Sequence, residues 1–157
     1  GAVRKPFHEL TTEDWRSVQD ITLNSQFFMT RAFIKYLCEN NLKGNVVNVL
    51  SKTAFTTNSK DNTSYMSAKL GAYGITKGVA NEMAPYGIRV NGIVPGYVQT
   101  ERTYPDGDPR TERMRALLPT GKFATPIEMG KVVAFLLSDA ASQINGAAID
   151  CSGGCML

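Results

Sequence analysis

Apolar and polar positions run along the chain in two different periods, and the switches between them mark the elements. Trp15, Val18, Ile21, Phe28, Ala32 and Leu37 recur at roughly helical spacing. Thr11-Thr12-Glu13-Asp14 ahead of them supplies a capping hydroxyl followed by acids, which predicts a helix over 11–40. Asn40-Asn41-Leu42-Lys43-Gly44 stops it. Val46-Val47-Asn48-Val49-Leu50 is short, β-branched and nearly all apolar, the signature of a buried strand. A polar loop fills 51–63. A second long helix runs from Ser64 to Ala84, with Ala68, Ala72, Ile75, Val79 and Met83 on one stripe, and Pro85-Tyr86-Gly87 ends it. Ile88 to Val94 reads as another buried strand, closed by Pro95-Gly96. Residues 97–121 carry Pro105, Pro109 and Pro119 around an amphipathic stretch and read as an excursion. Thr125-Pro126-Ile127-Glu128 is a capping box that opens a helix through Leu137. Ala147 to Cys151 is a last short strand before Ser152-Gly153-Gly154.

Buried strands joined by helices predict an α/β fold whose parallel sheet is built with right-handed crossovers. Three strands make a thin sheet. One edge would be exposed apolar strand, so the chain is expected to lack a neighbour.

The length of 157 residues suits one domain. A composition 43% hydrophobic and 20% charged excludes a disordered tail, a collagen-like repeat and a coiled coil. Lysines and arginines (17) against aspartates and glutamates (14) leave a scattered net +3, and Glu112 breaks the loose cluster Arg110, Arg113, Arg115. No nucleic-acid or membrane partner is therefore expected. No apolar run approaches 18 residues, and Gly1 to Pro6 has no signal-peptide core. Cys38, Cys151 and Cys155 are odd in number and lack metal spacing, so the expectation is reduced thiols in a cytoplasmic protein with no metal. His8 is the only histidine, which counts against a histidine-based triad.

The candidate chemistry begins with Tyr65-Met66-Ser67-Ala68-Lys69. Positions i and i+4 share a helix face, so Tyr65 and Lys69 point the same way. A phenol near pKa 10 needs roughly 4 kcal/mol to titrate near 7. One cation about 4 Å away supplies on the order of 4 kcal/mol at an effective dielectric of 20. Tyr73-Gly74-Ile75-Thr76-Lys77 repeats the pattern. Ligands of open α/β sheets bind beyond the carboxyl ends of the strands. A helix that follows a strand starts at that edge, and Tyr65 is in the first turn. Tyr73 lies about 12 Å further down and is expected to pack. Ser51 directly follows the first strand on the same edge, where a hydroxyl could hold a substrate oxygen, and Pro95-Gly96 ends the next strand there.

Taken in order, these pieces resemble the C-terminal two-thirds of a short-chain dehydrogenase/reductase, across essentially all 157 residues. The strand-plus-serine 46–51 and the Tyr65/Lys69 pair come first. Ala84-Pro85-Tyr86-Gly87-Ile88-Arg89-Val90-Asn91 and Pro95-Gly96-Tyr97-Val98-Gln99-Thr100 follow. Phe135-Leu136-Leu137-Ser138-Asp139, Asn145-Gly146 and Ser152-Gly153-Gly154 close the series. The resemblance implies part of a doubly wound, Rossmann-like domain with a substrate lid at about 101–120. It implies an oxidoreductase that moves a hydride between NAD or NADP and a carbonyl or secondary alcohol. Tyr65 would be the acid/base, Lys69 would lower its pKa and bond the nicotinamide ribose, and Ser51 would orient the substrate oxygen. Pro95, Gly96, Val98 and Thr100 would line the nicotinamide side of the cofactor. Family members form dimers or tetramers through the two long helices and the last helix and strand, so a homodimer or homotetramer is implied.

The chain departs from the family in several places. Ile21-Thr22-Leu23 stands where a Val-Asn-Leu-like stretch carries an asparagine. Asn24 comes two residues later, about 200° around the helix, and is expected to face elsewhere. Lys52 is an uncommon follower of Ser51, and Ser152 stands where aspartate is frequent. Gly1 aligns with the glycine ending an Asn-Asn-Ala-Gly motif, while the glycine-rich phosphate loop has no counterpart here. By itself this piece is expected to bind a dinucleotide poorly. A truncated, non-catalytic relative serving as an assembly or binding module is the alternative. The charged lid (Glu101, Arg102, Asp106, Asp108, Arg110, Glu112, Arg113, Arg115) suggests a sugar, polyol or sugar acid as substrate, or else a solvated helix face.

Overall fold

The computed structural model of the chain describes residues 2–56, 59–101 and 103–156. Gly1, aligned above with a strand-ending glycine, and Arg102 of the lid lie outside the described residues. The elements follow the order α1 (Thr12–Gln19), α2 (Ser25–Glu39), β1 (Gly44–Val49), α3 (Thr63–Met83), β2 (Ile88–Pro95), α4 (Pro109–Ala116), α5 (Pro126–Leu137) and β3 (Ala148–Cys151). The three strands form one parallel sheet in the order β1-β2-β3, with Val46 opposite Val90 and Ile93 opposite Ile149.

Helices cover both faces of this sheet, and the period of two along the strands decides which residue meets which layer. Ile88, Val90 and Val94 of β2 pack toward α2 and α3, with Ile34, Leu37, Ala72 and Ala80. Ile93 points the other way, to Leu136 of α5, with Val47 beside it. Both faces of β2 are buried, hence its unbroken apolar run. A buried polar bond crosses the first layer: Asn48 Nδ2 donates to Thr76 Oγ1 at 2.9 Å, and that hydroxyl donates to the Ala72 carbonyl at 2.8 Å.

The long first helix is not one regular helix. A π turn over Asp20–Asn24 joins α1 to α2. The extra residue shifts the phase, so the buried line becomes Val18, Thr22, Thr30, Ile34 and Leu37, while Ile21 and Phe28 turn outward. Gln26, on the same line, donates to the Ala72 carbonyl at 3.3 Å. The α3 stripe also differs from the expected one. Ser64, Ala68, Ala72, Thr76 and Ala80 are its buried positions, because small residues let α3 approach the sheet. Ile75, Val79 and Met83 instead border a groove against α2. The loop at 51–63 contains a 3-10 turn, Lys52–Ala54, and the excursion contains α4.

Candidate active site

The carboxyl end of β1 gathers three of the expected residues. Ser51 follows β1 in extended conformation and is buried. Its Oγ accepts the Thr53 N–H at 3.2 Å, which starts the 3-10 turn and anchors the hydroxyl. α3 returns to the same edge, with half-buried Tyr65 in its first turn. Lys69, one turn on, donates from Nζ to the Val49 carbonyl at 2.7 Å. That bond ties the start of α3 to the last residue of β1, two positions before Ser51. The ammonium lies 5.7 Å from the Tyr65 ring centroid. Burial pushes the Lys69 pKa below its usual value, since desolvation disfavours the charged form. An ammonium has three donors, so two remain after Val49 for a bound hydroxyl or phenol oxygen.

Tyr73 and Lys77 have the same local geometry, with Nζ 5.6 Å from the ring centroid. Their surroundings separate them from the first pair. The Tyr73 ring meets Phe55 edge-on at 5.4 Å and packs against the cluster of Leu50, Ala72 and Val94.

Beside this group, Pro95 sits opposite Cys151 at the end of β2. Gly96 follows, and a Cβ there would lie 2.7 Å from the Ser152 carbonyl oxygen and 2.9 Å from its Cα. Only glycine lets these two backbones pass. Gly96→Ala must push the 95–100 loop off β3 and is expected to cost about 1–3 kcal/mol, read as a lowered Tm. An unchanged Tm would show that the loop yields freely. Beyond Gly96 the loop is pinned to the start of α5: the Ala124 N–H donates to the Tyr97 carbonyl and the Gln99 N–H to the Ala124 carbonyl. Val98 is half-buried in this bridge, and Thr100 is exposed further out. Proline, bare glycine backbone and a part-dehydrated ammonium on one edge fit the nicotinamide half of a dinucleotide.

Among the described residues of 101–120, five charged side chains pair with one another. Arg110 forks onto the Asp108 carboxylate and holds it down to about 2, and it stacks 3.4 Å over the Tyr104 ring. Arg115 bridges Asp106 and Glu112. A cleft of 160 Å³ lies between the 101–120 segment and the loop, lined by residues including Tyr97, Val98, Thr111 and Met114.

Asn24 donates to Asp20 on the exposed side at 2.6 Å, so it faces away as expected, whereas Thr22 is buried. Sequence reasoning missed Gln19, whose Nε2 donates to the Ser64 carbonyl and Ser67 Oγ and clamps α1 to the start of α3. It also missed the buried oxygens without partners among the described residues, Asn62 Oδ1, Ser64 Oγ and Ser152 Oγ. Neither Gln19 nor these oxygens had a local signal. Arg89 and Asn91, part of the resemblance, act as scaffold. Arg89 caps the end of α5 through the Leu136 and Ser138 carbonyls, and Asn91 brackets Ile144 and Ala147. A cavity of 520 Å³ borders Gly44, Ile88 and Arg89 at the amino ends of the strands, away from the candidate site.

The parallel sheet, the Tyr65/Lys69 pair on its carboxyl edge and the loop after β2 place the chain in the short-chain dehydrogenase/reductase family, and it belongs there. The family model described as Enoyl-(Acyl carrier protein) reductase matches residues 1–156. Among curated relatives, the chain is 39% identical over 150 residues to a D-threitol dehydrogenase of Mycolicibacterium smegmatis, covering 95% of this chain and 57% of that protein. An Agrobacterium tumefaciens protein provisionally described as a 2-deoxy-D-gluconate 3-dehydrogenase, solved with bound NADP, superposes with TM-score 0.92 at 34% identity, over 99% of this chain and 64% of that one. A 4-hydroxyisoleucine dehydrogenase solved with NADH superposes with TM-score 0.86 at 26% identity, over 98% of this chain and 65% of that one. The chain thus spans somewhat more than half the length of these proteins. No helix among the described residues is long and apolar enough to cross a membrane.

Proposed function

We propose that the whole protein containing this chain is an NAD- or NADP-dependent oxidoreductase acting on a carbonyl or secondary alcohol. The observation that carries this reading is the 2.7 Å bond from Lys69 Nζ to the Val49 carbonyl. It stations the Tyr65/Lys69 pair on the sheet edge beside Ser51. The relatives solved with NADP and NADH support the cofactor class. Pro95, Gly96, Val98 and Thr100 would line the nicotinamide side, and Lys69 would bond the ribose with a hydrogen that Val49 leaves free. The nicotinamide, when bound, supplies or accepts the hydride. Ser51 Oγ donates to the substrate oxygen and orients it, and Tyr65 Oη gives that oxygen its proton in reduction and takes it in oxidation. Following reduced-nicotinamide absorbance with a panel of secondary alcohols and carbonyls tests this reading. Turnover with none of them overturns it.

A second reading, a non-catalytic assembly module, draws on the apolar outer face of α2. Phe28, Met29, Phe33 and Tyr36 are exposed there, Met29 at 73%. Such a patch marks an interaction site. The family's helix-mediated pairing makes a second copy its occupant in either reading, giving a homodimer or homotetramer. Phe28→Glu with Met29→Glu is expected to shift the mass in light scattering to a smaller species. An unchanged mass removes α2 from the interface. Assembly without any cofactor-linked turnover would favour the second reading.

A further inference from the structure

Lys52 has no part in the reading above, yet it stands at the mouth of the same edge. It follows Ser51 directly and opens the 3-10 turn Lys52–Ala54. Its Nζ lies 3.8 Å from the Tyr97 ring centroid. Tyr97 follows Pro95-Gly96, so one cation reaches from the end of β1 to the end of β2. The Tyr97 ring is braced in turn by Phe123, with centroids 5.9 Å apart. Lys52 is half-buried in this arrangement and is a positioned charge, not a freely rotating chain.

Among the described residues no carboxylate pairs with Lys52. Acids of the 101–120 segment and of the pocket beside Tyr97 have other partners: Asp108 pairs with Arg110, Asp106 and Glu112 with Arg115, Glu128 with Lys122, and Asp150 accepts the Ser152 N–H. A ring face attracts an ammonium without neutralising it, so the whole positive charge stays available to a ligand. Lysine is a point charge with rotatable donors, suited to one carboxylate. Lysine also binds phosphate as a point charge, but a phosphate dianion is better matched by several converging donors or a planar fork. We propose that Lys52 is a specificity-determining residue that selects substrates carrying a carboxylate close to the reacting carbon, hydroxy acids and their oxo partners, over neutral polyols. This rests on the proposed function, which places the substrate oxygen at Tyr65 and at Ser51, the residue before Lys52.

The test uses the full-length enzyme with its nicotinamide cofactor and matched pairs on one carbon skeleton: gluconate against sorbitol, and threonate against threitol. kcat/KM is expected to favour the acid in each pair. Lys52→Met is expected to lower the acid-to-polyol ratio of kcat/KM about 10- to 100-fold, the range of one charged hydrogen bond, chiefly through KM. Lys52→Arg, which keeps the charge, is expected to retain most of the preference. Preference for the polyols, no turnover of either acid, or a ratio that Lys52→Met leaves in place would overturn the proposal. Polyol turnover that Tyr65→Phe abolishes, with no acid preference, would sink the carboxylate selection and leave the redox reading standing. If neither acids nor polyols nor any other alcohol or carbonyl is turned over, both fall.

Discussion

Tyr65→Phe is expected to lower kcat about 100- to 10,000-fold, the range over which a positioned acid/base acts, with circular dichroism and Tm unchanged. The substitution removes one oxygen from a half-buried side chain in the first turn of α3 and leaves the ring in place. Tyr73→Phe is the matched control. It removes the same atom from the second Tyr/Lys pair, whose ring is packed on Phe55, and is expected to keep kcat within about threefold, far short of what an acid/base supplies. Steady-state rates of both variants check this together. A dead Tyr73→Phe beside an active Tyr65→Phe would move the site one helical segment down α3 and refute the assignment.

Lys69→Met should cost nearly as much activity, because it removes the ammonium that would bond the nicotinamide ribose beside Tyr65, and steady-state kcat checks it. Stability should respond differently from activity. The folded-state pKa of Lys69 is depressed below 10.5 by burial, so the fold binds this proton less well than the unfolded chain. Its charge therefore works against folding at neutral pH. That penalty fades as pH rises through the window between the depressed value and 10.5. Lys69→Met relieves that penalty but also removes the bond to the Val49 carbonyl, so Tm at neutral pH is expected to change little in a thermal melt while turnover collapses.

Much of this architecture is legible in the residue order, because the signals involved are local. The β-branched run ending in Ser51 and the capping box at Thr125 place a strand and a helix to within about two residues. The four-residue spacing of Tyr65 and Lys69 aligns them on any α-helix. The misreadings occur where a long-range partner overrides the local period. The π turn at Asp20–Asn24 moves Ile21 and Phe28 outward because the buried line must keep facing α3. The α3 stripe passes to small residues because the sheet lies close behind it. The charged segment 101–120 reads in the sequence as a polar binding surface or a solvated helix face, and in the structure Arg110 and Arg115 pair with their near neighbours Asp108, Asp106 and Glu112.

The amino-acid order alone determined the alternation of strands and helices and the presence of a phenol and an amine one turn apart, since backbone periodicity is a property of neighbours in sequence. Tertiary structure alone decided that Lys69 reaches the Val49 carbonyl, that Tyr73 is spent on Phe55 and that Lys52 rests on Tyr97. Those pairings join residues 18 to 45 positions apart, and only the packing of α3 and the loops onto the sheet brings such groups within reach of one another.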